Sequence, residues 1–358
     1  MSRATGARDM VGETPILRTE NLCKYFGGER GFLDILLRND PTPVKAVDGV
    51  NLSVKEGEIL GIAGESGCGK TTLGKLMVNL YRPTAGDLDF EGVNYDELQG
   101  KELKEFRKRV QMIFQDPFES LNPRFTVMDA VSEPLRVNDI ADTYRERREL
   151  VIRALEDAGL APAEEYLQNF PRELSGGEQQ RVAIARALVV DPDFIVADEP
   201  VSMLDVSIRA GVLNLMKELR DDYDLTYVII SHDLSLIRYM SDRTAIMYLG
   251  DIVEVGETER VITNPKHPYT EALLDAVPVP DPRGGRERAR ISGEIPSPEN
   301  PPSGCKFHPR CPEYIGDVCE NVDPEMRPTD TPEHQVTCHL YETEDEQSRT
   351  SADSWTGD

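Results

Sequence analysis

Apolar residues in this chain fall into short runs divided by Gly- and charge-rich turns, and their spacing switches between the two periods of strand and helix. Residues 16–22 alternate as a strand does, and residues 44–54 read the same way. Residues 58–62 are apolar and Gly-flanked, the pattern of a buried strand. A Gly-rich turn then leads into a helical stretch over 71–80, and strand, glycine turn and helix in that order open an α/β fold. Further on, 103–109 reads as a charged helix and 110–114 as a strand. From about 129 to 170 the pattern is helical, with Leu150, Ile152, Leu155 and Leu160 among its apolar positions. A helix over 181–190 ends before Asp191-Pro192, and 194–197 is a short apolar strand. An amphipathic helix over 208–223, a strand over 227–230 and a helix over 235–239 follow. Two final strands are expected at 244–248 and 252–255. No internal repeat is evident.

At its ends the pattern fades. Residues 1–14 and the acidic stretch 342–358 read as disordered, 27–43 as a loop, and 278–341 as Pro-rich and loop-like with little apolar content. The longest apolar run, Ala245 to Leu249, is far short of the roughly 20 residues of a spanning helix. The first twenty residues lack an apolar signal core. A soluble or peripheral protein is expected, with any membrane role exercised through a partner. Net charge is −25, from 65 acidic and 40 basic residues, which argues against a nucleic-acid partner. The basic residues are 11 Lys and 29 Arg; diffuse acidity with little Lys suits a salt-loving, halophilic source, the plainer reading being an ordinary acidic cytosolic protein.

Gly64-Glu65-Ser66-Gly67-Cys68-Gly69-Lys70-Thr71, followed by Thr72, fits the P-loop pattern G-x-x-x-x-G-K-[ST]. Its glycines let successive N–H groups face one anion, and the following helix adds its positive end. Lys70 would reach the β- and γ-phosphates of ATP, and the Thr71 hydroxyl would bind Mg²⁺. A chance glycine turn is the plain alternative, disfavoured by the strand before and the helix after. Cys68 reads as a small loop residue, not a nucleophile. A second apolar strand ends in Asp198-Glu199. Asp198 would organise Mg²⁺ and Glu199 would polarise the attacking water, although two acids after a strand are by themselves often only a strand end.

Leu174-Ser175-Gly176-Gly177-Glu178-Gln179-Gln180-Arg181 narrows the choice. It resembles the signature of ABC-type ATPases, and physically it is a capped helix start with anion-binding N–H groups. Gln115 resembles the Q-loop glutamine that meets Mg²⁺ and the transmembrane partner. Asp205, in Ser202-Met203-Leu204-Asp205, resembles the D-loop residue that crosses a dimer interface. His232 in Ser231-His232-Asp233 resembles the switch histidine. Phe26 resembles the aromatic that stacks on adenine, with Tyr25 as the competing choice. Glu119-Ser120-Leu121-Asn122-Pro123, Tyr248-Leu249-Gly250, His267-Pro268-Tyr269-Thr270, Ile295-Pro296-Ser297-Pro298 and Ser303-Gly304-Cys305-Lys306-Phe307-His308-Pro309-Arg310-Cys311-Pro312 extend the likeness to the ATPases of the oligopeptide/dipeptide/nickel importer family, over about residues 15–341. The segment between Phe26 and Val44 also looks like that family.

The resemblance implies an α/β fold: a P-loop NTPase of ABC type over 15–277, a helical subdomain at about 116–175, and a small Cys-rich C-terminal domain over 278–341. It implies a membrane-associated ATPase at the cytoplasmic face. This subunit would pair with an identical or paralogous ATPase, serve two transmembrane permease subunits, and depend indirectly on an extracellular solute-binding protein. Peptides are the expected cargo, with sugars or nickel as alternatives. A soluble, non-transport ABC ATPase is the outside reading; it usually fuses two ATPase units or inserts coiled coils, and neither is present.

Cys305, Cys311, Cys319 and Cys338 lie within 34 residues, at a spacing that matches neither a zinc ribbon nor a bacterial ferredoxin. Four thiols in an apolar-poor segment call for a crosslink to order it. The resemblance implies a [4Fe–4S] cluster on these four; Zn²⁺ on the same thiolates and four unligated thiols remain open.

Overall fold

The computed structural model of this protein describes residues 15–27, 42–116, 120–276 and 293–342. The tail expected over 1–14, all but the first residue of that expected over 342–358, most of the loop over 27–43, Glu119, and the start of the Cys-rich segment lie outside the described residues.

Alternating residues make β1 (Leu17–Phe26) and β2 (Val44–Val54), which pair antiparallel. The apolar run that follows makes β3 (Ile59–Ala63), buried throughout, which feeds the glycine turn and α1 (Lys70–Met77). β4 (Ala85–Phe90) and β5 (Val93–Asn94) complete a four-stranded sheet in the order β2-β1-β4-β5. After α2 (Gly100–Arg109) and β6 (Val110–Ile113) come α3 (Val127–Val137), α4 (Tyr144–Asp157) and α5 (Gly176–Leu188), with α5 packed on the other two. β7 (Phe194–Asp198), α6 (Val206–Tyr223), β8 (Thr226–Ser231), α7 (Leu234–Met240), β9 (Arg243–Tyr248) and β10 (Asp251–Glu257) continue the α/β alternation. The chain closes with α8 (Thr258–Thr263), α9 (Pro268–Asp275), α10 (Asp317–Asn321), β11 (Met326–Pro328) and β12 (Gln335–Thr337).

The larger sheet runs β11-β12-β10-β9-β3-β8-β7-β6, parallel from β9 to β6. Its parallel strands are apolar on both faces because both faces are covered. Ile59, Ala63, Ile195, Ala197, Tyr227 and Ile229 point into the core shared with the helices. Their alternates Leu60, Ile62, Phe194, Val196, Val228 and Ile230 point into the core shared with the smaller sheet.

Three local readings of the sequence change. The helical stretch over 129–170 is two helices, because Thr143 caps a new start: its side chain accepts from the Glu146 N–H and Glu146 returns a bond to the Thr143 N–H. β4 was not anticipated, since of its six residues only Leu88 and Phe90 are buried. The strands do not end at Val255 either. β12 pairs antiparallel with β10, and β11 with β12, so the C-terminal segment extends the larger sheet. A buried polar knot fixes that junction: His334 Nε2 lies 2.7 Å from Glu254 Oε1, and the Lys266 and His267 N–H groups donate to the same carboxylate. Among the described residues no helix is long and apolar enough to cross a membrane.

Candidate active site

Four neighbouring parallel strands, β3, β8, β7 and β6, end on one edge of the larger sheet, and the expected chemistry sits on the loops they feed. At the end of β3, the loop 64–69 folds tightly against neighbouring backbone. A Cβ on Gly64 (φ +158°) would come within 2.2 Å of the Met247 carbonyl oxygen, and one on Gly69 (φ +110°) within 2.0 Å of that of Ala46. Only glycine allows both approaches. Lys70 is buried, and its ammonium donates to the Gly64 and Glu65 carbonyls at 2.8 and 2.9 Å. Ser66 and Gly67 are exposed at the loop tip, while Cys68 is enclosed. Burial raises the Cys68 thiol above its ordinary pKa, which keeps it protonated and agrees with a packing role. Thr71 and Thr72 open α1.

At the end of β7, Asp198 is 3% exposed. Burial raises its pKa, and the Thr71 side chain hydrogen-bonds to it. Its Oδ1 is enclosed and has no hydrogen-bond partner. A buried carboxylate oxygen left in that state fits a cation beside the P-loop.

Glu199 is the next residue, and its backbone is left-handed, at φ +46°. Such a conformation is uncommon outside Gly, Asn and Asp, and here it is held by its surroundings. The Glu199 N–H donates to the Ile230 carbonyl at 2.9 Å, and the Glu199 carbonyl accepts from the Ser202 N–H and hydroxyl. The turn aims the carboxylate at two other strand ends. His232 Nδ1, after β8, lies 2.7 Å from Oε1. Gln115 Nε2, after β6, donates to Oε2 at 3.4 Å. Two residues, 33 and 84 positions from Glu199, therefore meet on its one carboxylate.

The signature segment lies elsewhere, at the start of α5. Ser175 caps that helix; its hydroxyl accepts from the Glu178 N–H and donates to the Glu178 carboxylate at 2.7 Å. The helix thus starts at Gly176, earlier than its apolar pattern suggested. Gly177 packs under Ile208 so closely that a Cβ would lie 2.8 Å from the Ile208 Cγ2. Asp205 is the N-cap residue of α6 but its side chain makes no capping bond, and Met203 and Val206 beside it are 65% and 81% exposed. Phe26 ends β1 half in solvent, edge-on to Tyr81 with 5.4 Å between ring centroids. Tyr25 is instead tied to Asp48 through its hydroxyl.

Burial pushes the Cys305 thiol up to about 11 and Cys338 to about 12, and in each case the neighbouring cysteines push the same way. Even so, among the described residues no three His, Cys, Asp or Glu side chains stand as a ready metal site.

Sequence reasoning missed two contacts to the P-loop. Tyr269, on α9, accepts the Glu65 N–H at its hydroxyl, 2.9 Å away. Arg310 grips the Glu65 carboxylate with two bonds, at 2.9 and 3.0 Å. These partners lie 204 and 245 positions from Glu65, so no local spacing announces them.

Family models fit two parts of the chain: "ABC transporter" over residues 47–202, and "Oligopeptide/dipeptide transporter, C-terminal region" over 253–319. The oligopeptide transport ATP-binding protein AppF of Bacillus subtilis (strain 168) is 49% identical over 334 residues, covering 92% of this chain and 99% of that protein. The chain belongs to the ATP-binding proteins of oligopeptide/dipeptide ABC transporters. The dipeptide transport ATP-binding protein DppF of Haemophilus influenzae is 47% identical over 298 residues, covering 83% of this chain and 89% of that protein. A solved structure of the dimeric ATP-binding cassette MJ0796, in a post-hydrolysis state with ADP and Pi, superposes at a TM-score of 0.58 and 31% identity, over 68% of this chain and 98% of that one. This member of the family is therefore an ABC-type ATPase, with a P-loop fold on mixed α/β sheets.

Proposed function

We propose that this ATPase drives the import of dipeptides or oligopeptides from the cytoplasmic face of a membrane, through two transmembrane permease subunits fed by an extracellular solute-binding protein. The convergence of His232 and Gln115 on Glu199, beside Asp198 and the P-loop, carries the reading. Lys70 and the loop N–H groups bind the phosphates, and Phe26 stacks on adenine. Thr71, Asp198 and Gln115 hold Mg²⁺, which when bound neutralises charge on the β- and γ-phosphates. Glu199 orients the attacking water and takes its proton, while His232 fixes the carboxylate. Ser175, Gly176 and Gly177 present hydroxyl and N–H groups to ATP on a second ATPase subunit, identical or paralogous. Asp205 and the exposed Met203 and Val206 support that face as the dimer contact. Peptide cargo is supported by the names of AppF and DppF. Removing the chain from its host should abolish uptake of a labelled oligopeptide, and restoring it should recover uptake. Intact peptide uptake with loss of nickel or sugar uptake would instead assign one of those cargoes.

We also propose that Cys305, Cys311, Cys319 and Cys338 bind a [4Fe–4S] cluster, with Zn²⁺ as the competitor. Their placement within 34 residues of an apolar-poor segment supports this. Anaerobically purified protein should be brown, absorb broadly near ~400 nm and carry about four irons per chain. A colourless protein with about one zinc per chain favours the competitor, and a metal-free protein with an ordered C-terminal segment rejects both.

A further inference from the structure

The P-loop carries a negative charge where a polyphosphate must bind. Glu65 directly follows Gly64, and its own carbonyl holds the Lys70 ammonium at 2.9 Å. An unopposed carboxylate at that position would repel the incoming phosphates and loosen the loop that places Lys70. Arg310 opposes it. Its Nη1 donates to Glu65 Oε2 at 2.9 Å and its Nη2 to Oε1 at 3.0 Å, the paired geometry in which guanidinium and carboxylate bind best.

The grip is built, not incidental. The Arg310 side chain is 6% exposed and Glu65 22%. The guanidinium lies 5.8 Å from the Tyr248 ring centre and 5.9 Å from that of Phe307, and Nη1 also donates to the Tyr248 hydroxyl at 3.3 Å. Tyr248, Tyr269 and Phe307 pack together with centroids 4.6 to 5.4 Å apart. Tyr269 then accepts the Glu65 N–H, so the same residue is held at both backbone and side chain. A low-dielectric aromatic wall strengthens the ion pair and makes either unpaired charge costly.

We propose that Arg310 is a positioning residue of the nucleotide site: by neutralising and orienting Glu65, the C-terminal segment completes a P-loop that is electrostatically unfinished without it. Arg310 lies between Cys305 and Cys311, so whatever orders that turn also sets the ATP site. The proposal rests on the P-loop as the nucleotide site, and Lys70→Ala serves as the control for that reading.

The test measures the dissociation constant of a fluorescent ATP analogue, and separately the melting temperature without nucleotide, for the full chain and its variants. Arg310→Ala should weaken binding by about 5- to 150-fold, the usual range of coupling between sites. Adding Glu65→Gln should recover much of that loss, because it removes the stranded charge without restoring the brace. Arg310→Lys, which keeps charge but not the fork, should fall between, and it covers the case in which Arg310→Ala does not fold. Parental affinity in Arg310→Ala and Arg310→Lys, or a double variant no tighter than the single one, would overturn the proposal and leave Arg310 a packing residue. Parental affinity in Lys70→Ala would instead overturn the P-loop reading beneath it.

Discussion

Glu199→Gln should turn ATP from a transient ligand into a lasting one. The substitution keeps the shape of the side chain, the left-handed turn and the Asp198–Thr71 contact. On the proposed mechanism it removes only the group that accepts the proton of the attacking water. Loss of a general base costs about 10²- to 10⁴-fold in rate. Binding should survive, because Lys70 and the loop 64–69 are untouched. With hydrolysis blocked and binding intact, two subunits closed over ATP have no route to reopen, so size-exclusion chromatography with Mg-ATP should show a dimer that the parent forms weakly or not at all. A monomer with parental turnover would remove Glu199 from the reaction. The His232 contact at 2.7 Å sharpens the expectation. Gln can still accept one bond from His232, so trapping should follow from lost basicity and not from a disordered side chain.

Motifs were the most legible part of this site, for a physical reason. The tight fold of the loop 64–69 needs glycine at Gly64 and Gly69, where any Cβ would strike the Met247 or Ala46 carbonyl. That demand is written in consecutive residues. The fully buried strands β3, β7 and β8 were legible too, because burial on both faces leaves an unbroken apolar run. What the sequence concealed was contact at a distance. β12 is three residues long and earns its place by pairing with β10, and the Glu254–His334 knot that secures it spans 80 positions. Arg310 reads as one basic residue in a Cys-rich loop until the fold sets it on Glu65. The helix break at 138–143 was readable after all, since Thr143 and Glu146 spell a capping box; a period-3.6 reading passed over it because apolar positions continue on both sides.

Lys70→Ala and His232→Ala should separate binding from chemistry. The Lys70 ammonium is buried and, without nucleotide, is satisfied by the Gly64 and Glu65 carbonyls. When ATP binds, that charge is the one the loop can turn toward the phosphates. Truncating a buried partner of a charged ligand costs on the order of 2–5 kcal/mol, roughly 30-fold to several thousand-fold in Kd. Lys70→Ala should therefore lose ATP affinity by at least the lower figure, and turnover with it. His232 differs in kind: its side chain is 60% exposed and its bond goes to Glu199, not to the loop. Removing it should leave Kd within about 3-fold of the parent, since an exposed truncation changes stability by only about 0.5 kcal/mol. Turnover should still fall by about 10²-fold or more, as the carboxylate that orients water loses its support. Nucleotide titration and steady-state turnover on both variants decide the matter. If His232→Ala weakens binding as much as Lys70→Ala does, His232 belongs to the phosphate site; if both keep parental turnover, neither acts on ATP.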